Sequence, residues 1–244
     1  MSVILRFYEE LNDFLPRHRR RKSFSVPYTE PRSVKDLIES LGIPHTEIDL
    51  ILVNDASVGF DYLVKDKDRV AVYPMFESMD ITAVSKLDRP PLRHPEFVAD
   101  VHLGKLVRRL RLLGFDCLYN KEWRDRELAL ISAQSQRILL TRDVGLLKRQ
   151  IVTHGMYLHS DDPSKQLREV VHRLHLKNRI QPLARCLLCN GPMRKVPKEK
   201  VRGRVPEKTY AYTDEFLECE NCKKIYWKGT HWKRLQEIIR NALS

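Results

Sequence analysis

Apolar and polar positions alternate at the start of the chain, with Val3, Leu5 and Phe7 on one side of VILRF, the period of a half-buried strand. Phe24 and Val26 repeat the alternation after a basic loop at residues 17–22. Ser33 followed by Asp36 is a helix-start signal, Leu37, Ile38 and Leu41 predict the buried face, and Gly42 predicts the end. IDLILV (48–53), the turn Asn54-Asp55 and RVAVYP (69–74) predict further strands. After residue 95 the period changes to short apolar strands alternating with amphipathic helices. Strands are predicted at 96–100, 117–119, 137–141 and 156–159. One helix carries Leu103, Leu106, Val107, Leu110 and Leu113 on a stripe, with Lys105, Arg108 and Arg109 opposite and Gly114 as its stop. A second spans 124–134, and a third opens at Asp162-Pro163 and buries Leu167, Val170, Val171 and Leu174. Such alternation predicts an α/β fold, a mainly parallel sheet with helices on both faces.

The order β-β-α-β-β in residues 1–78, with the phrase LVND…KDKDRVAVYP, resembles a ubiquitin-like β-grasp domain of the sulfur-carrier type. Carriers of that type need a free terminal Gly-Gly, whereas here the strand runs on into FESMDITAVSKLDRPPLRHP. A docking role toward a protein or the ribosome is the expectation, not carrier chemistry. Residues 79–95, with Pro90-Pro91 and Pro95, read as a linker. The remaining divisions are an α/β segment at 96–179 and a tail at 180–244 dominated by cysteine and charge.

Charge separates the same two halves. Residues 1–90 hold 13 basic and 15 acidic side chains, a net of −2, and residues 91–244 hold 31 and 17, a net of +14. A basic excess confined to one half points to a polyanion, with nucleic acid the natural one. No apolar run approaches the roughly 20 residues of a membrane span, and the first ten residues lack the pattern of a secretory signal. A cytoplasmic address and no membrane partner are expected.

Four of the five cysteines fall as Cys186-x2-Cys189 and Cys219-x2-Cys222, with 29 residues between the pairs. Two such knuckles complete a tetrahedral Zn²⁺ site, and four thiolates leave no open position, so the ion is structural. The intervening residues are expected to form a basic loop or hairpin. Cys117, inside a short apolar strand, reads as a core residue. After the second knuckle, Tyr226, Trp227, His231 and Trp232 interleave with lysines that include Lys228. Aromatics among cations suit single-stranded nucleic acid, and equally suit the small core of a zinc site.

Acids mark the carboxyl ends of the predicted strands, where open parallel sheets place their sites: Asp100, Asp143 and Asp161. Asp125 opens the helix between. Converging carboxylates call for divalent cations with oxygen ligands, Mg²⁺ or Mn²⁺, and in a basic setting suggest phosphodiester hydrolysis. Helix capping is the competing role for Asp100 and Asp125, and the expected one for Asp162.

ADVHLGKLVRRLRLLGFD, DREL, RILLTRD, RCLLCNGPMR and the second knuckle with KKIYWKGTHW together resemble the Mut-seven C-terminal ribonuclease family. The resemblance implies a PIN-like nuclease domain at 96–179, a zinc ribbon at 180–244, and an amino-terminal ubiquitin-like domain. It implies an Mg²⁺- or Mn²⁺-dependent ribonuclease with Asp100, Asp125 and Asp143 at the metal; Asp161, from its place after a predicted strand, is the candidate for a fourth acid. Many PIN relatives carry another acid two residues after that of TRD, where this chain has Gly145. Lys105, Arg108, Arg109, Arg142, Tyr226, Trp227, Lys228 and His231 are the expected RNA contacts. Endonucleolytic cutting of tRNA, rRNA or other structured or single-stranded RNA is favoured over exonuclease action. The alternative is a non-catalytic RNA- or ribosome-binding factor that keeps the fold.

Overall fold

The computed structural model describes residues 1–75, 81, 83–87, 94–229 and 232–243. Most of the linker expected at 79–95, with Pro90-Pro91, and the candidate His231 lie outside them. The chain divides into two compact units, Met1–Pro95 with Arg124–Tyr157, and Glu96–Trp123 with Leu158–Ser244.

The first unit opens with a five-stranded mixed sheet of β-grasp type. Its strands are β1 (Ser2–Phe7), β2 (Phe24–Pro27), β3 (Ile48–Val53), β4 (Ala56–Ser57) and β5 (Arg69–Pro74), in the order β2-β1-β5-β3-β4. β1 runs antiparallel to β2 and parallel to β5, and β3 runs antiparallel to β5. Helix α1 (Val34–Ser40) starts where Ser33 Oγ accepts the Asp36 N–H at 3.0 Å. Val34, Leu37 and Ile38 of α1 enter a core with Val3, Leu5, Phe7, Ile51 and Val72. The described part of the expected linker packs on this domain, because Leu87 is buried in that core and Ser85 Oγ donates to Asp49 O at 2.6 Å.

The same unit contains α3 (Asp125–Gln134), β8 (Ile138–Thr141), α4 (Val144–Leu147) and β9 (Gly155–Tyr157). β8 and β9 pair in parallel, with Leu139 opposite Gly155. Every residue of β8 is buried, as a strand covered on both faces requires.

In the second unit, β6 (Phe97–Ala99) pairs in parallel with β7 (Cys117–Leu118), with helix α2 (Gly104–Leu112) between them. β6 and β7 are thus a parallel pair in this unit, as β8 and β9 are in the first. The expected stripe of α2 is buried from Leu103 through Leu110. Gly114 stops the helix at φ +94°, and a Cβ there would lie 2.2 Å from Gln181 O, so glycine is needed twice over. Helix α5 (Pro163–Arg173) begins as expected, with Asp162 Oδ1 accepting from Ser164 N at 2.8 Å and Lys165 N at 2.9 Å.

The tail forms a small antiparallel sheet, β10 (Met193–Val196), β11 (Phe216–Cys219) and β12 (Ile225–Trp227), in that order. Between β10 and β11 the expected loop or hairpin is a hairpin carrying a 3-10 turn at Lys198–Val201 and helix α6 (Glu207–Tyr212). Helix α7 (Trp232–Leu243), which the sequence did not announce, closes the described chain. Among the described residues no helix is long and apolar enough to cross a membrane.

Candidate active site and zinc centre

The four cysteines meet. Their Sγ atoms lie within 4.8 Å of one another, with Cys186–Cys222 at 3.7 Å and Cys189–Cys219 at 3.3 Å. Thiolates at about 2.3 Å around tetrahedral zinc stand about 3.8 Å apart, so the donor set fits that ion. All four are free thiols. Burial works to raise the Cys186 thiol, but hydrogen bonds from Tyr226 and from the Cys189 and Leu188 amides bring it down to about 6. Burial pushes Cys222 up to about 12. A cation is the natural counterweight to such a cluster.

The first knuckle is tied to the α/β part of its unit. Asn190, in the left-handed region at φ +69°, accepts the Cys117 N–H at 3.0 Å and donates to Asp116 Oδ1 at 2.8 Å. Asp116 also pairs with Arg185 at 3.0 Å. Arg111 is buried on α2, and its guanidinium donates to Cys117 O, to Leu188 O at 2.8 Å and to Leu187 O at 3.4 Å. Burial lowers its pKa, and the neighbouring Cys117, Cys186 and Cys189 sulfurs oppose that shift.

The four candidate acids sit where their elements put them. Asp100 follows β6 directly and caps the turn Val101–Leu103, its Oδ1 accepting from Val101 N at 2.6 Å. Asp143 stands two residues beyond β8 as N-cap of α4, accepting from Gly145 N at 2.7 Å and Leu146 N at 3.3 Å. A Cβ on Gly145 would lie 3.1 Å from that same Oδ1. Asp125 is the first residue of α3 and faces Arg149 at 3.4 Å. Asp161 is exposed and lines a cavity of about 640 Å³ together with Val101, the neighbour of Asp100.

The candidate RNA contacts divide by what they touch. Lys105, Arg108 and Arg142 are exposed. Arg109 donates to Ser164 Oγ at 2.8 Å and so braces the start of α5. Tyr226 is half-buried, with its hydroxyl 3.3 Å from Cys186 Sγ, and burial raises its pKa further. Lys228 pairs with Glu215 at 3.0 Å, and Trp227 lines a second cavity with Lys228 and Trp232. Leu187, Leu188, Asn190 and Arg111 were missed from the sequence. The signal for the leucines was their place inside the first C-x2-C, where an apolar pair has little core to fill.

The Mut7-C RNAse domain matches residues 95–239, and the Mut7-C ubiquitin domain matches residues 1–80. No curated protein and no solved structure matches. Since the first match covers more than half of the chain, the chain belongs to the Mut7-C ribonuclease-domain family, with a Mut7-C ubiquitin-like domain ahead of that domain.

Proposed function

We propose that the protein is a divalent-metal-dependent ribonuclease acting through Asp100, Asp125 and Asp143, with Asp161 as a fourth acid. The observation that carries this reading is the ribonuclease-domain match over a segment in which Asp100 and Asp143 follow parallel strands, where α/β sheets keep their chemistry. Carboxylates are the donor set that Mg²⁺ and Mn²⁺ take. When bound, the ion supplies Lewis acidity that activates water and offsets charge on the departing oxygen. The chain's own part is positioning. The Gly145 and Leu146 amides fix the rotamer of Asp143, and the Val101 amide fixes Asp100. Exposed Lys105, Arg108 and Arg142 draw in the RNA backbone. Attack of water at phosphorus with loss of the 3′ oxygen leaves a 5′-phosphate and a 3′-hydroxyl. Cutting is endonucleolytic, zinc is structural, and the ribbon assists in holding RNA.

A non-catalytic RNA-binding factor is the second reading. It is favoured by the capping bonds of Asp100 and Asp143 and by Gly145 standing where an acid is common. The deciding experiment incubates wild type and Asp143→Asn with tRNA, rRNA and unstructured RNA in Mn²⁺, Mg²⁺ or EDTA. Metal-dependent cutting that the variant loses, with RNA binding retained, is expected. Binding by both proteins and cutting by neither transfers the assignment to the binding factor.

A further inference from the structure

The cavity of about 640 Å³ in the second unit has two unlike walls. One is the start of α2, where Lys105 and Arg108, three residues apart and hence on one helical face, are exposed. The other is Leu187 and Leu188, the two residues enclosed by the first zinc knuckle. Leu188 is 59% exposed, a large apolar side chain presented to water on the cavity that these cations also line.

Both walls are held in place. The buried Arg111 fork grips the carbonyls of Leu187 and Leu188 on one side and that of Cys117 on the other. The Tyr119 hydroxyl donates to Val101 O at 2.8 Å across the helix start. A Cβ on Gly104 would lie 2.9 Å from that hydroxyl, so the close approach of Tyr119 to α2 needs glycine there. The volume lies in the range of about 300–1,000 Å³ that accommodates a small ligand, and fixed walls reduce the ordering cost of binding.

We propose that this cavity is a subsite for one unpaired nucleotide of the RNA, with Lys105 and Arg108 on its phosphates and Leu188 and Tyr119 against its base. The assignment rests on the ribonuclease reading for its place beside Asp100, whose neighbour Val101 lines the cavity. Lys105, Arg108 and the buried Arg111 against the one carboxylate of Asp161 select a phosphate-bearing ligand, and the apolar Leu187 and Leu188 lining the same cavity select the face of a base. A base held within a duplex has no free face to offer, so the subsite selects single strands. The zinc knuckle thereby becomes part of the substrate site, although its ion takes no part in chemistry.

The test uses the full-length, zinc-loaded protein, without added divalent cation. Fluorescence anisotropy reports binding of fluorescein-labelled hexauridine and of a blunt RNA duplex. Leu188→Ser, an exposed position whose substitution leaves net charge unchanged, is expected to weaken hexauridine about fivefold and the duplex less than about twofold. Lys105→Ala/Arg108→Ala is expected to flatten the salt dependence of hexauridine binding by about 1.4 in log–log slope. Zinc content of one ion per chain certifies each variant as folded. Unchanged hexauridine binding in Leu188→Ser, or equal loss of both ligands, overturns the subsite.

Cleavage by the same proteins in Mn²⁺ separates the two proposals. Wild-type cutting with an unaltered KM in Leu188→Ser rejects the subsite and leaves the nuclease. Selective loss of hexauridine binding by that variant, with no cutting by wild type, rejects the nuclease and leaves a single-strand site.

Discussion

A carboxylate that caps a helix and one that ligates a metal differ in what they need, geometry in the first case and charge in the second. Asp143 does the first visibly, since its Oδ1 takes the Gly145 and Leu146 amides. Asparagine caps as well as aspartate, whereas alanine forfeits about 1 kcal/mol. Asp143→Asn is therefore expected to melt with the wild type while losing its cutting, and Asp143→Ala to lose both stability and cutting. Thermal melts beside RNA assays check this; a parallel loss of stability and activity in both variants would leave capping as the residue's whole role. Tyr226 illustrates the converse ambiguity. Its aromatic ring among lysines suits a base, but its hydroxyl stands at Cys186 Sγ. The sequence could not choose between these roles, because a phenol serves either and only the fold says which partner it meets.

At the scale of elements, α5 was legible because its signals are local. Asp162-Pro163 supplies both the cap and a first residue that needs no hydrogen bond. The Lys165 and Ser164 amides, aided by Arg109 and Lys165 charge, hold the Asp162 carboxyl below its ordinary value of 3.8. A depressed folded pKa gives stability that is full above the unfolded value and is lost as pH falls through the folded one. Wild type and Asp162→Ala are thus expected to differ by a few degrees in melting midpoint at pH 6 and to converge below pH 3.8. A gap that persists undiminished under acid would show that the carboxylate charge is not what stabilises the helix. The stripe of α2 and the alternation of β1 were readable for the same local reason. Helix α4 was not, because four residues, VGLL, are too few to display a period. Helix α6 buries none of its residues, so no apolar pattern announces it. The zinc ligands stood out through spacing alone, but the acids did not, because aspartate is both a common cap and a common ligand.

At the scale of the whole molecule, the first unit brings the β-grasp domain together with a segment of the α/β part. Residues 1–95 and 124–157 group in one compact unit. Polar residues of the β-grasp domain join it. His45 is buried with its ring nitrogens 2.7 Å from Glu39 Oε1 and 2.9 Å from Val152 O, and Lys148 Nζ donates to Glu39 O at 2.6 Å. Glu47, fully buried, accepts the backbone N–H of Tyr157 at the end of β9. Nothing in PHTE marks these side chains as interior, since histidine and glutamate in a short turn ordinarily face water. Burial makes each of them costly to leave without its partners, so the ubiquitin-like domain and the β8–β9 segment should unfold together. Glu47→Ala removes the buried acceptor of the partly buried Tyr157 amide, a change worth about 1–3 kcal/mol. Urea denaturation should register that loss, and hydrogen exchange should quicken at Tyr157 as well as through β1 and β5. If exchange rises at Tyr157 alone while the β-grasp strands keep their protection, the two segments are separately stable and the contact is only a docking surface. If it rises in all three, the ubiquitin-like domain is a structural part of the body that carries Asp125 and Asp143, and deleting it would disable those acids without touching them.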